Sequence, residues 1–226
     1  MARISFSTPI LLLAITISAS AAVTVVPGSS CPWLAGMPTG TFTQSGDRAP
    51  DQSPVIVGGV TITGGTALAF TVTGSVSNFS NPPTDPPDGN ANNVVANTGG
   101  REFGLSNIIA PINCLVGVFL DDRRPDETPD ATTLDFSEVG DRNFATLSPQ
   151  LKQIFFIGNG RRGTTGGEQT FFAPAGSTRL FLGSIDAFGW TGNGGQFQVG
   201  VTVVPTPGVL GFMGLAGSMA ARYRRR

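Results

Sequence analysis

Histidine is absent from all 226 residues. That removes every nucleophile system that relies on an imidazole base, and every zinc or copper site built on imidazole. The sequence holds 2 cysteines, too few for a structural zinc site. Charged residues make up 13% and the formal net charge is −1, which argues against nucleic acid or a broad anionic surface as a partner. Carboxylate-only chemistry such as glycoside hydrolysis survives these exclusions, but no pair of carboxylates stands in a recognisable context. The chain reads as a non-enzyme. Glycine, by contrast, is plentiful at 31 residues, a balance common in exported β-rich proteins. On a prior of about 100–200 residues per domain, the length suggests one domain with appendages.

Both ends read as appendages. Residues 1–22 have the form of a signal peptide: Arg3 supplies the positive start, Pro9 to Ile17 a short apolar core, and Ala19-Ser20-Ala21 the small residues of a cleavage site. Cleavage after Ala21 or Ala22 would begin the mature chain near Val23. A retained anchor would need a longer apolar run. At the other end, Pro205-Thr206-Pro207-Gly208 breaks the last strand, because proline cannot serve in a sheet ladder. Val209 to Ala221 is apolar, and Arg222, Arg224, Arg225 and Arg226 close the chain. The run is short for a helix that needs about 20 residues to span a bilayer, although arginine snorkelling could stretch it. Terminal arginines fit a cytoplasmic end.

Residues 205–226 resemble the PEP-CTERM sorting signal of Gram-negative bacteria: a Pro-x-Pro tripeptide, a short apolar segment, then terminal arginines. Thr206 stands where that family has a central glutamate. The resemblance implies an exosortase as processing partner, transient insertion of the segment in the inner membrane, and delivery to the cell surface or extracellular matrix. A plain C-terminal anchor is the simpler alternative.

Between the ends, residues 23–204 read as one β domain of about nine short strands separated by turn signals. Strands are expected at Val23 to Val26, Val55 to Val57, Val60 to Ile62, Ala67 to Val72, Leu115 to Leu120, Gln153 to Ile157 and Phe171-Phe172. A two-layer core fits this length. The Pro- and Asn-rich segment from Asn78 to Gly100 reads as a long loop. Asp121 to Glu127 reads as a solvated charged turn, and Ser148-Pro149 as the start of a helical turn. GNGRRGTTGG (158–167) is a glycine-rich connection without the lysine-hydroxyl ending of a phosphate loop. Cys31 and Cys114, in an oxidising compartment, are expected to form a disulfide; two buried thiols are the alternative.

The most informative stretch is Ser177 to Val204. Leu180-Phe181-Leu182 is an apolar run, and Phe197, Val199, Val201 and Val203 alternate with small or polar residues. Between them lie Asp186, Trp190 and Asn193 among the glycines Gly189, Gly192, Gly194 and Gly195. A glycine-rich loop with one carboxylate, one amide and many carbonyls suits calcium, which takes six to eight oxygens. An ordinary hairpin turn, with Asp186 and Asn193 bonding their own backbone, is the other reading.

This stretch resembles the end of the bacterial calcium-dependent galactose-binding lectins, where an aspartate, a loop ending in two asparagines and a Gly-x-Phe-x-Val strand follow one another. Asp186 matches the aspartate, Asn193 the second asparagine, and Gly195 to Val199 the strand; Gly192 replaces the first asparagine. The resemblance implies an all-β, jelly-roll-like galactose-binding β-sandwich. It also implies calcium held by Asp186, Asn193 and a carbonyl of Trp190 or Thr191. Asp85, Asp88 and Asn90 are the candidates to approach from the 80s loop, with the Trp190 ring as a platform for a sugar. The histidine those lectins use near the sugar has no counterpart here. Three functions stay open: a calcium-dependent binder of a surface or matrix polysaccharide, a structural matrix protein without a ligand site, and a carboxylate-only hydrolase.

Overall fold

The computed structural model describes residues 21–79, 82–163 and 165–205. Most of the expected signal peptide, and the sorting-motif residues Thr206, Pro207, Arg222, Arg224, Arg225 and Arg226, lie outside the described residues. Among the described residues, no helix is long and apolar enough to cross a membrane.

The described chain is all-β. Its strands are β1 (Ala21–Pro27), β2 (Val55–Ile56), β3 (Ala67–Ser77), β4 (Asn90–Ala96), β5 (Ile108–Ile112), β6 (Leu115–Leu120), β7 (Leu134–Asp135), β8 (Thr146–Leu147), β9 (Ile154–Phe156), β10 (Thr170–Phe172), β11 (Arg179–Ser184) and β12 (Gly194–Val203). Helix is limited to single 3-10 turns at Pro32–Leu34, Pro125–Glu127 and Gly140–Arg142. The strands form a five-stranded sheet, β1-β12-β3-β10-β8, a four-stranded sheet, β2-β11-β6-β9, and a three-stranded sheet, β4-β5-β7.

The four-stranded sheet is the middle of the molecule, and its sequence explains why. Every residue of Leu115-Val116-Gly117-Val118-Phe119-Leu120 is buried. A strand covered on both faces needs apolar side chains at successive positions rather than alternate ones. Leu115 and Phe119 pack with Phe155, Leu180 and Leu182 against the five-stranded sheet, where they meet Leu68, Phe70, Phe171, Phe197, Val199 and Val201. Val116, Val118 and Leu120 point the other way with Phe156 and Phe181, into a second cluster containing Trp33, Leu34, Ile108, Ala110 and Trp190. The molecule therefore has two apolar clusters, one on each side of a central sheet, rather than the single two-layer core expected. Phe119 and Phe155 stack at 5.2 Å in one cluster, and Trp33 lies against Trp190 at 5.4 Å in the other. Each fully buried side chain of this size contributes about 1.5–3 kcal/mol.

β12 obeys the other pattern. Phe197, Val199 and Val201 are fully buried, whereas Gln196 and Gln198 are exposed, as suits a sheet with one wet face. It pairs with β1 on one side and β3 on the other.

Several expectations need correction. Val60 to Ile62 forms no strand; the helical turn expected within Asp141 to Leu151 is a single 3-10 turn at Gly140–Arg142, and Ser148-Pro149 does not start it but follows the two-residue β8. The Asn-rich segment is not all loop, since its second half is β4, paired with β5. Val94 and Val95 sit in that register while Ala91, Asn92 and Asn93 face solvent, the polar dressing that protects a sheet edge. The charged turn is solvated as expected, with exposed pairs Arg123–Asp121 and Arg124–Asp126.

Cys31 and Cys114 are free thiols rather than the disulfide expected. Both are fully buried in the same apolar cluster and serve there as small packing residues. Burial, with Asp47 adding to it, pushes the Cys31 thiol well up. Burial does the same to Cys114, helped by Asp88.

Candidate functional site

The Asp186–Asn193 loop is not a hairpin. β11 belongs to the central sheet and β12 to the five-stranded sheet, so residues 185–193 carry the chain across the edge of the sandwich. The two hydrophobic patterns on either side of the loop belong to two different layers, which is why they differ.

The crossing is pinned from several directions. Ile185 is fully buried and its N–H donates to the Cys114 carbonyl at 3.0 Å. Trp190 is 1% exposed, and its Nε1 donates to the Ser184 carbonyl at 2.9 Å. Its indole is therefore core, and the expected sugar platform at Trp190 is corrected: no face of that ring meets solvent. Thr98 reaches in from the β4–β5 connection, its N–H donating to the Ala187 carbonyl at 3.0 Å.

The firmest pin is Asp47, a residue in a stretch that reads from sequence as simple loop. It is 1% exposed. Its Oδ1 accepts from the Trp190 N–H at 2.7 Å, the Thr191 N–H at 3.1 Å and the Thr191 hydroxyl at 3.3 Å. Its Oδ2 accepts from the Ser45 hydroxyl at 2.5 Å. A carboxylate that takes two successive backbone N–H groups sets the curvature of the segment around it.

Asp186, at 5% exposure, accepts from the Ala187 N–H at 2.6 Å through Oδ1. Burial raises its pKa; the Asn193 carboxamide and the Phe188 and Ala187 N–H groups pull it down, and the Asp47 charge pushes it up. The Asn193 side chain sits beside that carboxylate, yet among the described residues neither its Oδ1 nor its Nδ2, both buried, meets a partner in hydrogen-bond geometry.

A second amide faces the same end of the fold. Asn113 lies in the tight connection between β5 and β6 with φ +65°, a left-handed conformation that asparagine tolerates better than most residues. Its N–H donates to the Ile185 carbonyl at 2.7 Å, which places it next to Asp186. Its Nδ2 donates to Asp85 Oδ2 at 2.6 Å and to Asn78 Oδ1 at 3.1 Å, while its own Oδ1 is buried without a partner among the described residues. Asn78 follows Ser77, which pairs with Gly194, so Asn78 stands across the ladder from Asn193. Asp85, Asn78, Asn113, Asp186 and Asn193 thus gather at one end of the sandwich.

Of the 80s-loop candidates only Asp85 comes to this cluster. Asp88 Oδ1 accepts from the Asn159 N–H at 2.8 Å and lines a separate cavity with Arg142 and Arg161. Asn90 opens β4, and its Oδ1 accepts from the Asn92 N–H. The reason is the chain's own geometry: Asp85 pairs with Val76 beside β12, after which Pro86 and Pro87 turn the backbone toward β6.

Among the described residues, no three His, Cys, Asp or Glu side chains gather as in a carboxylate-rich metal centre. The ion pairs among them are the two in the charged turn, so Asp47, Asp85 and Asp186 have no cationic partner there. Two exposed rings flank the cluster along the chain: Phe79 follows Asn78 at 93% exposure, and Phe188 follows Asp186 by two positions at 58%. Sequence reasoning missed Asp47, Asn113 and both phenylalanines. Only the exposed phenylalanines carried a signal, as aromatic residues inside polar, glycine-rich segments.

No family model matches the chain, and no curated protein matches it. A solved structure described as "EclA N-terminal domain; PllA-like lectin" matches at 14% identity, covering 81% of this chain and 96% of that one, with a TM-score of 0.36. A TM-score that low does not equate the two folds.

Proposed function

We propose that this protein is an exported carbohydrate-binding module that holds calcium at the Asp186–Asn193 end of the sandwich. The observation that carries this reading is the pair of buried carboxamide oxygens, Asn113 Oδ1 and Asn193 Oδ1, left without hydrogen bonds among the described residues beside the half-buried Asp85 and the buried Asp186, which lack a cation there. An unpaired buried polar atom costs about 1–3 kcal/mol, so several at one place call for a ligand. Calcium suits this set because every donor is oxygen. Asp186 and Asp85 would supply carboxylates, and Asn193 and Asn113 carboxamide oxygens. The Trp190 carbonyl would add one more, since accepting from the Asn193 N–H at 3.1 Å leaves it a second lone pair. Bound there, the ion neutralises the buried Asp186 and the half-buried Asp85 and offers remaining positions to sugar hydroxyls.

Phe79 and Phe188 replace Trp190 as the aromatic faces for a sugar ring, because they are exposed and it is not. The ligand class is a neutral saccharide of a cell-surface or matrix polysaccharide. Export through residues 1–22, sorting by an exosortase at Pro205, Thr206, Pro207 and the terminal arginines, and a jelly-roll-like ancestry belong to the same reading. They rest on the sequence motifs alone.

Titration calorimetry and melting curves with calcium chloride, on wild type, Asp186→Ala and Asn113→Ala, test it. Binding in the ~10⁻⁴–10⁻³ M range typical of extracellular calcium modules is expected, and is lost in Asp186→Ala. A glycan array read with and without chelator then tests the sugar. If wild type shows neither calcium heat nor a calcium-dependent rise in melting temperature, the oxygen cluster is a structural knot. The protein is then a matrix component without a ligand site.

A further inference from the structure

A second cavity lies apart from the oxygen cluster and shares no lining residue with it. It has a volume of about 160 Å³ and is walled by Asp88, Ala91, Val139, Arg142, Phe156 and Arg161. Two guanidinium groups on one small cavity are unusual in a chain with so few charges. Among the described residues neither arginine is in an ion pair. Arg142 is held in place, its Nη1 donating to the Phe136 and Ser137 carbonyls, which leaves Nη2 and Nε without an acceptor among the described residues. The segment that carries it is anchored in turn, as Gln169 Nε2 donates to the carbonyls of Arg142 at 2.9 Å and Phe144 at 3.1 Å. Arg161 is exposed at the rim, its Nη1 donating to the Gly166 carbonyl at 3.3 Å. Phe156, almost fully buried, closes the floor of the cavity, and the exposed Ala91 and Val139, the latter at 70%, give it an apolar wall toward the rim.

We infer that this cavity binds the uronic-acid residue of an acidic saccharide, its carboxylate on Arg142 and Arg161 and its ring against the exposed apolar wall of Ala91 and Val139. Size, charge and chemistry converge on that class. A cavity of roughly 150 Å³ holds a benzene ring, so one pyranose ring is the largest body this cavity encloses. An ordered guanidinium with two free donors recognises a planar carboxylate in a way that a lysine cannot. Asp88 is the wall's one acidic residue; its Oδ1 is occupied by the Asn159 N–H, leaving Oδ2 to accept from a ring hydroxyl. Asp88 also sets polarity, because its charge repels a ligand carboxylate toward the arginines. A phosphate or sulfate ester would meet the arginines as well, but brings no ring to the apolar wall unless it is carried on one.

The inference is independent of the calcium site, and its test keeps the two apart. Binding of sodium glucuronate to the full chain is measured by calorimetry or ligand-observed NMR in chelator, with glucose and sodium acetate as the neutral-ring and bare-carboxylate probes. Glucuronate should bind at least about tenfold tighter than either, and each of Arg161→Gln and Arg142→Gln should weaken it about tenfold or more. Arg161→Gln is the decisive variant, since the exposed Arg161 side chain can be replaced without disturbing the core. Asp186→Ala should leave glucuronate binding unchanged. Equal binding of glucose shows that charge plays no part, and equal binding of acetate that the ring plays none; either overturns the inference, as does undiminished binding by Arg161→Gln.

Discussion

Replacing Asp47 tests whether a residue outside the candidate loop sets its shape. In Asp47→Ala the Trp190 and Thr191 N–H groups lose the carboxylate that accepts them at 2.7 and 3.1 Å, and Ser45 loses its 2.5 Å acceptor. The Trp190 N–H is buried and has no water to turn to. Hydrogen bonds to a charged acceptor are worth about 1.5–3 kcal/mol each. Against this stands the cost of keeping an ionised group buried with no cation beside it, several kcal/mol, which alanine relieves. The net expectation is a loss of about 3 kcal/mol, or roughly 6–12 °C in melting temperature for a chain of this size. Asp47→Asn keeps an oxygen where the N–H groups point and drops the charge. It also turns the Ser45 acceptor into an NH2 donor, to which the Ser45 hydroxyl can present its oxygen by rotating, so it should cost about 1 kcal/mol. Thermal unfolding followed by tryptophan fluorescence reads both stability and the loop, because Trp190 is in the core against Trp33. Alanine melting within about 1 °C of wild type would mean that Asp47 pins nothing. Asparagine as damaging as alanine would mean that charge, not acceptance of N–H groups, holds the loop.

Two further expectations follow from the same structure. Burial raises the Asp88 pKa above its unfolded value, so the folded protein binds more protons than the unfolded chain in the window between the two. Any stability from this group is full below the unfolded pKa and is lost as pH rises through the folded one. Asp88→Asn should therefore be neutral to stabilising at pH 7, with the advantage gone in strong acid; denaturant midpoints for both proteins across pH check it, and an advantage that grows in acid refutes it. Gly195 has φ +80°, and a Cβ there would sit 2.2 Å from the Ser75 carbonyl oxygen and 2.7 Å from Pro83. Gly195→Ala should cost at least about 2 kcal/mol by urea unfolding, and a variant as stable as wild type would show that the start of β12 can shift freely.

The contrast between two hydrophobic patterns was the most legible feature of the sequence. The continuous apolar run of Leu115 to Leu120 and the alternation of Phe197 to Val203 each name a strand, and the glycine-rich loop before the last strand stands out in the sequence. What the contrast also implied, that the strands on either side of Asp186 lie in different layers, is plain only with the sheets in view. β4 was hidden because its side chains are those of a loop; its backbone pairing with β5, not its composition, makes it a strand. Trp190 looked like a ligand platform because a loop tryptophan among glycines suggests exposure, yet the crossing from one sheet to the other folds it inward against Trp33.

By itself the sequence determined the class of protein: no imidazole chemistry, an all-β body, and a loop rich in oxygen donors. Those follow from composition and local periodicity, which act over a few residues. Tertiary structure alone decided which donors meet. Asp47 and Trp190 are 143 positions apart, and Asn113 and Asp85 are 28 apart. It alone sent Asp85 to the oxygen cluster and Asp88, three residues on, to the arginine-walled cavity. Pairing between distant strands fixes such neighbours, and no spacing along the chain encodes which strand edges will lie side by side.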